Sequence, residues 1–329
     1  MRLITTLLCA LCIVSCSTDD TIQESNIFEG DLTLNTQAEV DFIGSMGYTE
    51  ITGYLSIQSS GSPITSLEAL NTLTKVDGVF LSINGTQITN LNGLENLTTV
   101  ANKLQITNNY ELTSVEALSN VTSVGGLFVK ENLLLESYNG LENAQIQENG
   151  YLGLTGNILI DDASMLSDII PASLASVNIA EGFASCPSCP SISVPQPLDD
   201  LSFLSNLTSV GSLNITFFQG ESLHGLHNIT IADYVGIGFD SNLISLDGLS
   251  GLQTVNNNFL IHSLSLITDL SGLENITTLN QLQISNNDAL TNFCVVEDLI
   301  VNGVVENLYI QDNAYNPTEQ DFLNGNCSN

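Results

Sequence analysis

The stretch from Asn92 to Leu118 reads NGLENLTTVANKLQITNNYELTSVEAL, and its apolar residues recur before and after it with a period near 23 residues. A fixed period of this length marks stacked supersecondary units. The clearest sign is a pair of apolar residues flanking one other residue. It stands at Leu55/Ile57, Leu81/Ile83, Leu104/Ile106, Leu127/Val129 and Leu152/Leu154, and again at Leu213/Ile215, Val235/Ile237, Phe259/Ile261, Leu282/Ile284 and Leu308/Ile310. From Leu81 the steps are 23, 23 and 25 residues; from Leu213 they are 22, 24, 23 and 26.

Alternation with a period of two predicts half-buried strands, and no part of the unit keeps a helical period over several turns. One such coil cannot bury its own apolar residues. Stacked copies can, because Leu then lies on Leu and Ile on Ile in a continuous core. The position three after the second strand residue is Asn109, Asn132, Asn157, Asn287 and Asn313, with Asp240 at the equivalent place. An amide there can donate to and accept from backbone groups of adjacent coils where the chain turns, so these residues are expected to form a structural ladder.

The 329 residues suffice for one large or two ordinary domains, and the repeat favours one elongated solenoid. Trp is absent and only 12% of residues are charged, so Asn, Ser, Thr and Gln must supply most of the polar surface. Beyond Arg2 the only cationic side chains are Lys75, Lys103 and Lys130, against 36 Asp plus Glu. Such a chain repels nucleic acid and anionic lipid head groups. The charge suits solubility, or alternatively a surface for cations or basic partners.

Residues 1–15, MRLITTLLCALCIVS, place one basic residue before an apolar run too short to span a bilayer, the form of a secretory leader. Ile13-Val14-Ser15-Cys16 resembles a bacterial lipobox, which implies that Cys16 is lipidated and becomes the mature N-terminus. The following Ser17-Thr18-Asp19-Asp20 resembles the surface-export signal of Bacteroidota-type lipoproteins. Residues 16–27 then read as a lipidated tether, and the expected location is the outer membrane, lipid-anchored and exposed at the cell surface.

Residues 28–157 are read as an N-terminal cap and a first repeat array. Thr36 lies three before Glu39, a capping-box spacing, and Val40, Phe42, Ile43 and Met46 give the predicted helix an apolar side. Residues 158–200 lose the marker apart from a Val177/Ile179 pair, and contain a helix-like stretch ended by Pro171 and then CPSCPSISVPQP. This segment is expected to be a hinge between two half-solenoids or an irregular pair of coils. Residues 201–329 hold a second array and a C-terminal cap. In an exported chain the even set Cys186, Cys189, Cys294 and Cys327 predicts disulfides, with 294 to 327 and 186 to 189 as the preferred pairing.

Motifs that carry chemistry are sparse. Cys186-Pro-Ser-Cys189 has redox or metal spacing but no βαβ context and no second ligand pair. His224-Gly-Leu-His227 sits at a turn-rich step of the repeat with no third ligand. Asp161-Asp162 and Asp199-Asp200 lie in irregular segments and read as solvated, with weak calcium binding as the alternative. The sequence contains no G-x-S-x-G, H-E-x-x-H or phosphate-cradling glycine loop, so no catalytic residue, metal or cofactor is assigned. The N-x-T sequons at Asn96, Asn120, Asn206, Asn228 and Asn275 share one repeat position, which a structural consensus explains without glycosylation.

What remains is a surface. In each strand the residue between the two core positions and the one after the second point outward. The face so defined includes Gln105, Thr107, Phe128, Lys130, Asn214, Thr216, Leu260, His262, Gln283, Ser285, Tyr309 and Gln311. Extended faces of this kind are where solenoids bind partners.

With the repeat established, the pattern L-x-I-x-x-N-x-x-L-T-x-L-x-G-L-x-N-L-T-x-V resembles the receptor L-domain branch of leucine-rich-repeat-like proteins, over Gly30 to Ser328 apart from the middle segment. GDLTLNTQAEVDFI resembles the opening cap of bacterial members, and NAYNPTEQDFLNGNC their closing one. The resemblance implies a mainly β, right-handed solenoid with a small helical N-terminal cap and a disulfide-stapled C-terminal cap. It also implies a non-enzymatic adhesive or receptor-like module for an unidentified protein or glycan. The alternatives are a structural envelope component, or a metal-dependent or enzymatic protein centred on the middle segment.

Overall fold

The computed structural model describes residues 26–184 and 192–329. Cys16, Cys186 and Cys189 lie outside the described residues. Short helices punctuate a 15-stranded sheet in which consecutive coils pair in parallel. The apolar pairs of the sequence stack in register: Leu55 on Leu81, Leu104, Leu127 and Leu152, and Ile57 on Ile83, Ile106, Val129 and Leu154. The sheet continues through residues 158–200, because strand Ser173–Ala180 pairs with Gln145–Thr155 on one side and Ser209–Thr216 on the other. Val177 and Ile179 thereby join the two core columns, between Leu152/Leu154 and Leu213/Ile215.

Parallel strands need a crossover, and here the return path is built from short 3-10 turns such as Glu116–Leu118, Ser202–Leu204 and Asp247–Leu249. Their leucines face inward, and one buried cluster runs from Leu32 to Cys327. Burying a Leu or Ile side chain stabilises by about 1.5–3 kcal/mol, so each coil adds a modest increment and depends on its neighbours for it.

Polar ladders hold the coils in register on two sides. At the corner after each strand, Asn109 Nδ2 donates to the Ile83 carbonyl at 2.9 Å, Asn132 Nδ2 to Ile106 at 2.9 Å and Asn157 Nδ2 to Val129 at 2.8 Å. In return the Asn132 Oδ1 accepts from the Asn109 backbone N–H at 3.1 Å. These three amides are fully buried. On the return side, the sequon residues do similar work: Asn96 Nδ2 donates to the Asn71 carbonyl at 2.7 Å, and Thr98 Oγ1 to Thr74 at 3.1 Å. Asn120, Asn206, Asn228 and Asn275 repeat the bond to the preceding coil.

Where the insertion interrupts the repeat, Gln196 substitutes for the missing asparagine. Its Oε1 accepts from the Asn157 backbone N–H at 3.1 Å and its Nε2 donates to Ile160 at 3.1 Å. A side chain from 39 residues away thus keeps the ladder closed across the middle segment.

Each end is covered. Helix Gln37–Ser45 begins at Thr36, whose Oγ1 accepts from the Glu39 N–H at 3.2 Å. The helix packs through Val40 and partly through Ile43, and Gly44 lies so close to Ala69 that a Cβ would fall 2.3 Å from its carbonyl oxygen. Phe42 and Met46 do not join this side, contrary to the expected apolar face; they are 57% and 47% exposed. The close approach at Gly44 turns the far side of the helix to solvent. At the other end Phe322 is buried and Thr318 forms a capping box with Asp321. Cys294 and Cys327 are joined across a separation of 33 residues, a closure worth about 3–4 kcal/mol on loop-entropy grounds. Among the described residues no helix is long and apolar enough to cross a membrane.

Replacing Asn132 with Ala strands the Asn109 N–H and the Ile106 carbonyl inside the core. At about 1–3 kcal/mol for each buried unpaired group, N132A is expected to lower the unfolding free energy by roughly 2–5 kcal/mol. Chemical denaturation measures it; a loss below about 1 kcal/mol would show that the ladder is not needed.

Candidate binding face

The outward residues form parallel rows along the sheet. Gln105, Thr107, Phe128, Lys130, Asn214, Thr216, Leu260, His262 and Gln283 are half-buried on this face, and Tyr309 and Gln311 are exposed. Ser285 departs from the expectation: it is buried, 5% exposed, and offers nothing to a partner. Several polar members are tied to one another. Thr107 Oγ1 donates to Asn84 Oδ1 at 3.0 Å, and Asn214 Nδ2 to Asn178 Oδ1 at 2.7 Å.

A further row lies one residue before the core Leu and belongs to the same face: Tyr54, Phe80, Lys103, Tyr151 and Tyr234. Phe80 aligns with Lys103 in the ladder, and Lys103 with Gly126, which aligns in turn with Tyr151. This row carries much of the aromatic surface. Tyr54 and Phe80 stack at 4.8 Å with planes 23° apart, and Phe128 and Tyr151 at 6.3 Å with planes 30° apart. Lys103 Nζ lies 4.6 Å from the Tyr151 ring centroid, and Lys130 Nζ 5.1 Å from that of Phe128. Gly153 makes room for this group, since a Cβ there would meet Phe128 Cδ1 at 2.7 Å and Lys130 Cε at 3.0 Å.

A second aromatic group sits on the second array. Phe217 and Phe239 stack at 5.0 Å with planes 9° apart, and the His262 ring meets Phe239 edge-on at 4.3 Å. Both phenylalanines occupy the left-handed corner, each with φ 57°, where other coils carry Asn108, Ser263 or Asn286. Bulky side chains are rare in that conformation. Burial lowers the His262 pKa, so the ring is neutral at physiological pH.

Directly after Phe239 comes Asp240, fully buried at the ladder position. Its Oδ1 accepts from the Phe218 N–H at 2.5 Å, while its Oδ2 has no partner among the described residues. At the asparagine corners the second side-chain atom is an NH2 donating to the strand carbonyl of the preceding coil, and the corresponding residue for Asp240 is Ile215. Burial raises the Asp240 pKa to about 8, against the lowering effect of the Phe218 N–H. The neutral acid has an O–H where the amide has an N–H, whereas the carboxylate could only accept.

The chemistry-bearing motifs of the sequence do not converge. The His224 and His227 rings stack at 5.4 Å, and among the described residues no group of three or more His, Cys, Asp or Glu is placed to hold a metal ion. Asp162 Oδ1 caps Ser164, which lowers its pKa, and Asp200 likewise accepts from Ser202. An open groove of about 390 Å³ near the middle segment is lined by polar residues such as Asn149, Ser173 and Asp233 and by apolar ones such as Leu174, Val210 and Ile231, a mixed lining without a nucleophile–base pair.

Residues 26–146 match the family model of the receptor L domain. The chain is similar in structure to an internalin from Listeria monocytogenes, with a TM-score of 0.51 and 21% sequence identity over 84% of this chain and 69% of that one. No curated protein sequence matches. The fold is therefore leucine-rich-repeat-like, with a receptor L-domain signature in its N-terminal part.

Because the Asp240 pKa is raised in the folded state, its stabilising contribution is complete below the unfolded value near 3.9 and is lost as pH rises through about 8. D240N should remove that slope and melt higher than the native chain at pH 9. A gain of more than ~3 °C, roughly 1 kcal/mol in a domain of this size, is expected; identical melting profiles from pH 5 to 9 would refute the neutral-acid assignment.

Proposed function

We propose that this chain is a non-catalytic cell-surface binding module, held at the outer membrane by a lipid on Cys16, that presents its outward β-face to a protein or glycan ligand. The observation that carries this reading is the face itself. A polar sheet bears two stacked aromatic groups, one on its strands and one at the corner beside them, with Tyr151 38% and Phe239 48% exposed. Folding gains little from rings left in water, whereas recognition gains from rigid amphipathic aromatics. The receptor L-domain signature and the internalin-like fold support a binding scaffold. Right-handed winding, the near-universal hand of parallel crossovers, is part of the same reading.

Two experiments test it. The purified chain, applied to a panel of matrix proteins and glycans, should bind at least one, and F217A/F239A or F128A/Y151A should weaken that binding tenfold or more. No binding anywhere on the panel, by a chain shown to be folded, would put the envelope-component reading ahead. In cells carrying a radiolabelled lipid precursor, C16A should lose both label and membrane association; retention in the membrane fraction would overturn the anchor.

A further inference from the structure

Lys75 is paired with Glu50 at 3.4 Å and with Asp77 at 2.6 Å, as expected of a cation in a chain with a formal net charge of −32. Lys103 and Lys130 are different. Neither forms an ion pair among the described residues, and both converge on the Phe128–Tyr151 pair. With 36 carboxylate side chains in the sequence, leaving two neighbouring ammonium groups unmatched runs against the general trend. The carboxylate that follows in sequence, Glu131, acts on Lys130 without forming an ion pair, its Oε1 accepting from the Phe183 N–H at 2.9 Å.

The neighbourhood is prepared for a ligand rather than for packing. Lys130 is half-buried, and desolvation lowers its pKa against the raising effect of Glu131, so its charge is held at a cost that an anion would offset. Gly153 lets Phe128 and Lys130 lie directly against the strand, side by side on the face. Gln105 pairs in the ladder between Ser82 and Phe128, and its amide makes no hydrogen bond to the protein among the described residues. The stacked Tyr54 and Phe80 continue the same row.

We infer that Lys103, Lys130, Phe128, Tyr151 and Gln105 form a binding site for an acidic saccharide, with a single carboxylate between the two ammonium groups and the sugar ring against the aromatic faces. This rests on the binding-module reading above and names its ligand class. Three features favour a sugar over an acidic peptide. The backbone groups of these strands are used by their parallel neighbours, so a peptide laid on the face finds no main-chain partners. Amide, hydroxyl and aromatic ring faces are instead what a pyranose requires. Neighbouring rungs are about 4.8 Å apart, close to the length of one sugar unit. The strong negative charge of the whole chain disfavours a polyanion and selects an isolated or terminal carboxylate.

Calorimetry with the full chain in detergent tests the assignment, using sialyllactose against lactose and methyl glucuronide against methyl glucoside. At least one acidic sugar should bind tenfold or more tightly than its neutral counterpart, and the preference should shrink as salt is raised. K103Q and K130Q should each remove most of that preference, while K75Q leaves it intact; circular dichroism and melting confirm that each variant is folded. Equal affinity for acidic and neutral sugars, or a preference unaffected by K103Q and K130Q, would overturn the site. So would selective binding of a Glu-rich peptide in place of the sugars. Binding that persists in K103Q/K130Q but is lost in F217A/F239A would overturn this site while leaving the wider binding function standing.

Discussion

The constraint on which the molecule depends is the need to pair buried backbone groups at each corner, where the chain leaves the sheet. Asn132 shows the solution: one side chain accepts from an N–H and donates to a carbonyl at the corner of the coil before its own. The core Leu and Ile columns supply most of the stabilisation, yet apolar contact alone tolerates slippage. The amide ladder has directional partners and fixes the register. That fixed register is what aligns rows of outward side chains into a face.

Gln196 shows how firm the requirement is. The middle segment breaks the sequence repeat and adds a hairpin, Gly182–Ala184 with Ile192–Val194, yet the corner bond is restored from outside the repeat. Asp240 shows its other limit. An acid can hold the position only as an acid, because a carboxylate cannot donate to the neighbouring carbonyl. The second array therefore carries a titratable joint below its aromatic group, whereas the first array is pinned by amides throughout its middle coils.

Much of this was legible in the sequence. The L-x-I pairs gave the strand registers, the spacing after them gave the ladder including Asp240, and Thr36 marked the cap helix. What was not legible has several physical origins. Register shifts interrupt several strand pairs, for example between Val100 and Lys103 or between Val255 and Asn258, so a strict count along the repeat does not carry through them. Tyr54, Phe80, Lys103 and Tyr151 lie on the near side of these shifts, directly before the core Leu; alternation reaches them, but the L-x-I marker begins one residue too late to include them. Ser285 failed for a different reason, since the predicted direction takes no account of what the next coil covers. Gln196 had no repeat position from which to be recognised. Phe217 and Phe239 were invisible as a pair because nothing in a sequence marks the left-handed corner when a bulky residue fills it.

The sequons on the return side bear on how this protein can be made. Asn96, Asn120, Asn206, Asn228 and Asn275 each direct the side-chain NH2 at a carbonyl of the preceding coil, and the amide nitrogen is the atom to which an N-linked glycan is attached. A eukaryotic secretory host would meet these tripeptides while the chain is still unfolded, and every glycan added would take one of the two N–H groups from an exposed amide that ties neighbouring coils. A host that leaves asparagine bare keeps both N–H groups at every one of these ties, so the choice of production host bears on folding.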